Sequence, residues 1–135
     1  MDTAHRAALG RAGEDLAVRL VVGDGLEVLD RNWRDGRRGE LDVVARDPGT
    51  GTVVFVEVRT RTGDGHGTAL ESVDARKLMR LRSLAAAWLS RHDVHGRVRM
   101  DVIAVTVPPV ARRSDVPRPV DLGGARVEWV RGIVP

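Results

Sequence analysis

Gly39–Arg61 reads GELDVVARDPGTGTVVFVEVRTR: two apolar runs with acids set inside them, joined by a Gly/Pro turn. Val53–Val58 is a six-residue run with five large apolar side chains, the pattern of a strand buried on both faces. Glu57 lies within it, and Asp42 interrupts Leu41, Val43, Val44 and Ala45 in the same way. A buried carboxylate costs several kcal/mol unless something compensates it. Asp47-Pro48-Gly49-Thr50-Gly51 carries the residues of a tight reversal, so the two runs are expected to pair as a hairpin. A reversal centred between Gly49 and Thr50 sets Asp42 opposite Glu57 and Glu40 opposite Arg59. Carboxylates opposed across a sheet repel unless a cation lies between them or one is protonated. Asp42 and Glu57 are therefore candidate ligands of a divalent metal.

The rest of the chain supplies a frame for this hairpin. Ala4–Val22 is predicted to be helical, with Leu9, Leu16, Leu20 and Val21 on one face. Gly23-Asp24-Gly25 ends it, and Leu26–Trp33 reads as a strand. Thr60–Ala69, spaced with glycines, reads as a loop that lacks the pattern of a nucleotide-binding loop. Asp74 is an N-cap for a second helix to about Arg91, with Leu78, Leu81, Ala85, Trp88 and Leu89 as its buried stripe. Val98–Val107 is a further strand, in which Asp101 reads as structural, and Val127–Val134 a short last one. Residues 108–120 are a flexible Pro/Arg loop within a single domain, 1–135. The expected fold is α/β: a mixed β-sheet flanked by helices, in the order α-β-β-β-α-β plus a short C-terminal strand.

Composition narrows the functions. A chain of 135 residues with 42% hydrophobic and 30% charged residues is an ordinary globular domain. Without cysteine there are no disulfides and no thiolate metal sites. No apolar run reaches the length of a membrane span, and no secretory leader is read at the N-terminus, so a cytoplasmic location without membrane association is expected. A net charge of +3 permits nucleic-acid binding through a local patch without demanding it. Three Trp and one Phe are few for a binder that works by base stacking. His92 and His95 lie three apart, but in a turn and without a third ligand, which makes a weak zinc site.

An acid on one strand followed by Glu-x-basic on the next resembles the active site of the restriction-endonuclease-like superfamily. Gly13–Ala17 (GEDLA), Arg31–Arg34 (RNWR), Gly39–Asp42 (GELD), Val54–Arg61 (VFVEVRTR) and Arg99–Val105 (RMDVIAV) resemble, in order, the bacterial YraN family. That family is related to archaeal Holliday-junction resolvases. The resemblance covers about residue 10 to about residue 107. It implies a restriction-endonuclease-like core and a Mg²⁺- or Mn²⁺-dependent DNA endonuclease or exonuclease, with branched or recombining DNA as a candidate substrate. It further implies Asp42 and Glu57 as metal ligands with the Val58 carbonyl, and Glu14 as a third acid on the first helix. For Glu14 the alternative is a solvated carboxylate beside Arg11.

Arg59 departs from the superfamily's usual lysine. Arginine cannot act as a base, but it can clamp a phosphate. Arg34, Arg37 and Arg38 read either as phosphate contacts or as a solvated basic loop. Lys77, the one lysine, reads either as a phosphate contact or as a side chain snorkelling at the core's edge. The competing functional reading is a non-cleaving DNA-binding or partner-recruiting module on the same fold. A homodimer is an assembly the resemblance allows.

Overall fold

The computed structural model describes residues 3–63, 71, 73–108 and 122–133. In chain order these form α1 (Thr3–Gly23), β1 (Glu27–Arg34), a 3-10 turn (Gly36–Arg38), β2 (Glu40–Arg46), β3 (Val53–Thr62), α2 (Ala75–Arg91), β4 (Val98–Val107) and β5 (Arg126–Val130). The 108–120 loop and His66 lie almost wholly or wholly outside the described residues.

The strands form one sheet in the order β1-β2-β3-β4-β5. Its pairs are antiparallel except β3 with β4, which run parallel. Parallel neighbours need a crossover, and α2 supplies it. The mixed α/β order matches the expectation. The hairpin reverses as its residues require: Gly51 N–H donates to the Asp47 carbonyl at 2.7 Å and Gly49 N–H to Asp47 Oδ1 at 2.9 Å. Gly51 takes a φ of +77°, which glycine adopts without strain. The resulting register, Val43↔Val56 to Arg46↔Val53, is that of a reversal centred between Gly49 and Thr50.

The sheet is covered on both faces. On one, α1 packs over Val43, Ala45, Val54, Val56, Ile103, Val105 and Val107. On the other, Leu81, Leu84, Ala85 and Trp88 of α2 pack over Leu41, Val44, Val53 and Phe55. Central strands buried on both sides are therefore largely apolar, with Asp42, Glu57 and Asp101 as the acids that interrupt them.

Two boundaries and one buried face differ from expectation. β3 runs on to Thr62, since β4 offers partners all the way to Thr62↔Val107. β5 ends at Val130, and Gly132, with a φ of +67°, turns its N–H onto Asp101. The buried line of α1 is Leu9, Gly13, Ala17 and Val21, with Leu16 and Leu20 only partly buried. Small residues occupy that line because α1 lies close against β3: a Cβ on Gly13 would stand 1.9 Å from Thr60 Oγ1 and 3.0 Å from both Thr60 Cβ and Cγ2. Rotating Thr60 cannot clear all three atoms. Gly13→Ala is therefore expected to destabilise the protein by about 1–3 kcal/mol despite the better helix propensity of alanine. A lowered midpoint in urea, partly restored by Thr60→Ala, would show it.

Candidate active site

The acids converge where β2 parts from β3 while still paired with β1. Registers Arg31↔Val43 and Trp33↔Leu41 set Asn32 opposite Asp42, and the β2–β3 register carried one step beyond Val43↔Val56 sets Asp42 opposite Glu57. Regular pleating would put Leu41 and Val43 on the same face. Instead Leu41 belongs to the α2-side cluster and Val43 to the α1-side cluster. The chain twists between them, and Asp42 occupies the twist. Its Oδ2 accepts the Val58 N–H at 2.8 Å, so a side chain takes over the ladder where backbone pairing with β3 stops.

α1 adds a carboxylate from the side. The close approach at Gly13 brings the next residue, Glu14, to the strands. Glu14, Glu40 and Asp42 each place a carboxylate oxygen within 4.8 Å of the others. Asn32, in the left-handed region with a φ of +51°, serves two of them. With its amide oriented to donate, the nitrogen lies 2.9 Å from Glu14 Oε2 and 3.2 Å from Glu40 Oε1. Asparagine tolerates this backbone conformation better than most residues, so the position suits its side chain.

Crowding of like charge shifts the acids. Burial pushes the Asp42 carboxyl up to about 8; Glu57 and, more weakly, Glu14 add to the rise, while the Val58 N–H opposes it. The Glu14 carboxyl is also raised, by partial burial first and then by Glu40, against Arg31 and Asn32. Three oxygen donors that repel one another in this way are a donor set suited to a hard divalent cation.

Glu57 lies beside Asp42, as its register predicts, and is buried, with Oε1 2.9 Å from Lys77 Nζ. α2 delivers that ammonium through its first turn, where Asp74 Oδ1 accepts the Lys77 N–H at 2.8 Å. Asp42 thus sits between two settings, the Glu14/Glu40 pair on one side and the Glu57–Lys77 pair on the other.

Of the basic residues, Arg34 Nε lies 3.1 Å from Glu40 Oε2, beside the cluster, whereas Arg38 turns to Asp35 at 3.6 Å. Asp35 also receives Arg91. Arg37 is exposed and has no partner among the described residues. Arg59 lines a cleft between α1 and the end of β3, which Glu14 also lines. His92 stacks on Trp88 at 4.1 Å and His95 turns to Asp93 at 3.0 Å, and neither joins a metal-capable group among the described residues.

Glu40 and Asn32 were not singled out as site residues from sequence. Their signals are present: Glu40 is two residues before Asp42 on the same strand, and Asn32 is opposite Asp42 across the β1–β2 pair. Reading them requires both registers at once.

The domain is a mixed α/β fold of five strands and two helices, consistent with a restriction-endonuclease-like core. The sequence comparisons give the family. The model of the family described as "Uncharacterised protein family UPF0102" matches residues 13–105, and the chain belongs to that family. A UPF0102 protein of Mycolicibacterium smegmatis is 50% identical over 125 residues, covering 92% of this chain and 97% of the relative. Those of Mycobacterium tuberculosis strain H37Rv and Mycobacterium ulcerans are each 52% identical, over 110 and 108 residues. They cover 81% and 79% of this chain and 85% and 88% of the relatives. Among the described residues no helix is long and apolar enough to cross a membrane.

Proposed function

We propose that this protein is a metal-dependent nuclease that hydrolyses phosphodiester bonds in DNA. The observation that carries the reading is the cluster of Glu14, Glu40 and Asp42 oxygens within 4.8 Å, set beside the Glu57–Lys77 pair. Mg²⁺ or Mn²⁺ is the class of ion that suits three carboxylates, and when bound it supplies an activated water and stabilises charge on the phosphate. Val58 contributes its N–H, which fixes the rotamer of Asp42. Asn32 donates to Glu14 and Glu40 and so holds both carboxylates toward Asp42.

Lys77 offers a cation that Arg59 does not replace: a compact ammonium with three donors, able to orient a water or a phosphate oxygen. In this chain that ammonium comes from α2 and stands against Glu57, the acid of the Glu-x-basic motif. Lys77 is thus placed to meet a phosphate oxygen or the attacking water, and Arg59 to hold a neighbouring phosphate.

The test is cleavage of labelled duplex, overhanging and four-way DNA with Mg²⁺ or Mn²⁺. Cutting is expected to require the metal, and Lys77→Arg, which keeps the charge beside Glu57, is expected to slow it about 10²-fold. If the parent binds both Mn²⁺ and DNA yet cuts none of these substrates, the non-cleaving module is the better reading.

A further inference from the structure

We infer that the cleft between the first turns of α1 and the free edge of β3 seats an unpaired nucleic-acid strand, held through its phosphates. The inference rests on the nuclease reading and names the form of DNA that the site takes. The cleft has a volume of about 660 Å³ and is walled by Arg6, Leu9, Gly10 and Glu14 of α1 and by residues 58–62 of β3. It shares Glu14 with the acid cluster, so a strand lying in it passes directly beside the proposed centre of hydrolysis.

Its chemistry suits an anion. Among the described residues, Arg6, Arg59 and Arg61 line it against one acid, Glu14. Arg61 Nε donates to Thr106 Oγ1 at 3.3 Å, whereas Arg6 and Arg59 have no hydrogen bond or ion pair among the described residues. Backbone donors add to this. Pairing with β2 stops at Val43↔Val56, Val58 N–H points toward Asp42, and Gly63 N–H points the other way, to the Val107 carbonyl. Amides two apart on a strand point to the same edge, so those of Thr60 and Thr62 follow Val58 into the edge that β2 has left.

Size selects the form of the ligand. A cleft in the range of about 300–1,000 Å³ takes a small ligand, here one or two nucleotides, and is too small for a duplex. Among the described residues no aromatic lines it, so a strand is held by its backbone and no preference for base sequence is expected.

The two glycines on this face of α1 divide the roles. Gly13 is needed for close packing on Thr60, whereas a Cβ on Gly10 would meet nothing within 4 Å. Glycine is a poor helix former, and packing gives no reason for one at Gly10. What Gly10 does is keep the wall of the cleft open.

Gly10→Leu therefore fills the cleft without disturbing the core, and Arg6→Glu reverses its charge at an exposed position. The experiment is fluorescence anisotropy in EDTA with a blunt duplex and with the same duplex carrying a short single-stranded overhang. Mn²⁺ binding and melting temperature serve as controls. The parent is expected to bind the overhang about tenfold more tightly. Both variants are expected to lose that preference while keeping the parent's affinity for the blunt duplex, its Mn²⁺ binding and its fold. Equal binding of the two DNAs by the parent, or a preference that survives in Gly10→Leu, overturns this inference and leaves the nuclease reading in place. Failure to bind either DNA overturns both.

Discussion

Asp42→Asn is expected to reduce DNA cleavage by about 10³-fold or more and, in the same protein, to raise stability. Asparagine keeps an oxygen for the Val58 N–H and loses only the charge. Folded Asp42 holds its proton to about 8 because burial and the nearby Glu57 disfavour the carboxylate. An unfolded aspartate releases it near about 4. Between those values the folded state binds more protons, so this group's contribution falls as pH rises, by at most about 1.4 kcal/mol per pH unit. The variant lacks that loss. Parent and variant should have similar stability near about pH 4 and differ by about 1–3 kcal/mol near about pH 8, with the variant more stable. Urea unfolding at both pH values measures it. A variant less stable than the parent at the higher pH would mean that Asp42 is a structural acid.

Asp101 is the opposite case, an acid whose loss should damage the fold. Its side chain is fully buried, and it accepts from Arg99 at 3.0 and 3.1 Å, from Trp129 Nε1 at 2.9 Å and from Gly132 N–H at 2.9 Å. These bonds tie β4 to β5 and to the turn after it. Arg131, lying 3.9 Å over the Trp129 ring and bonded to Asp24, extends the tie to the end of α1. Asp101→Ala leaves a guanidinium and two N–H donors without their acceptor, an expected cost of about 3–5 kcal/mol. The urea midpoint should fall accordingly, with Mn²⁺ affinity retained under conditions where the variant is still folded. A drop under about 1 kcal/mol would show that β5 docks by its apolar contacts alone.

The contrast between these acids shows what was legible beforehand. Asp42 and Glu57 stood out because each interrupts an apolar run, and the Asp47–Gly51 turn specified its own register through local hydrogen bonds. Asp101 interrupts a run in the same way, yet its partners Trp129 and Gly132 lie about thirty residues on and depend on the β4–β5 pairing. Glu40 and Asn32 stayed hidden for another reason. Their convergence needs two registers together with the twist between Leu41 and Val43, and alternation alone does not encode that twist. The Glu57–Lys77 contact depends on how α2 is rotated on the sheet, which a helical stripe specifies only to within a side chain. Gly13 was legible as a small residue in a helix but not as a contact, because its reason lies in Thr60 on another element.

The claim on which the functional account depends is that Glu14, Glu40 and Asp42 bind one divalent ion. Calorimetric titration of Mn²⁺ into the parent and into Asp42→Asn, at about pH 6 and about pH 8, tests it most directly. The account predicts one site in the parent, tighter at the higher pH because Asp42 must give up its proton, and no binding in the variant. Equal Mn²⁺ affinity in the two proteins, or none in the parent at either pH, would contradict it.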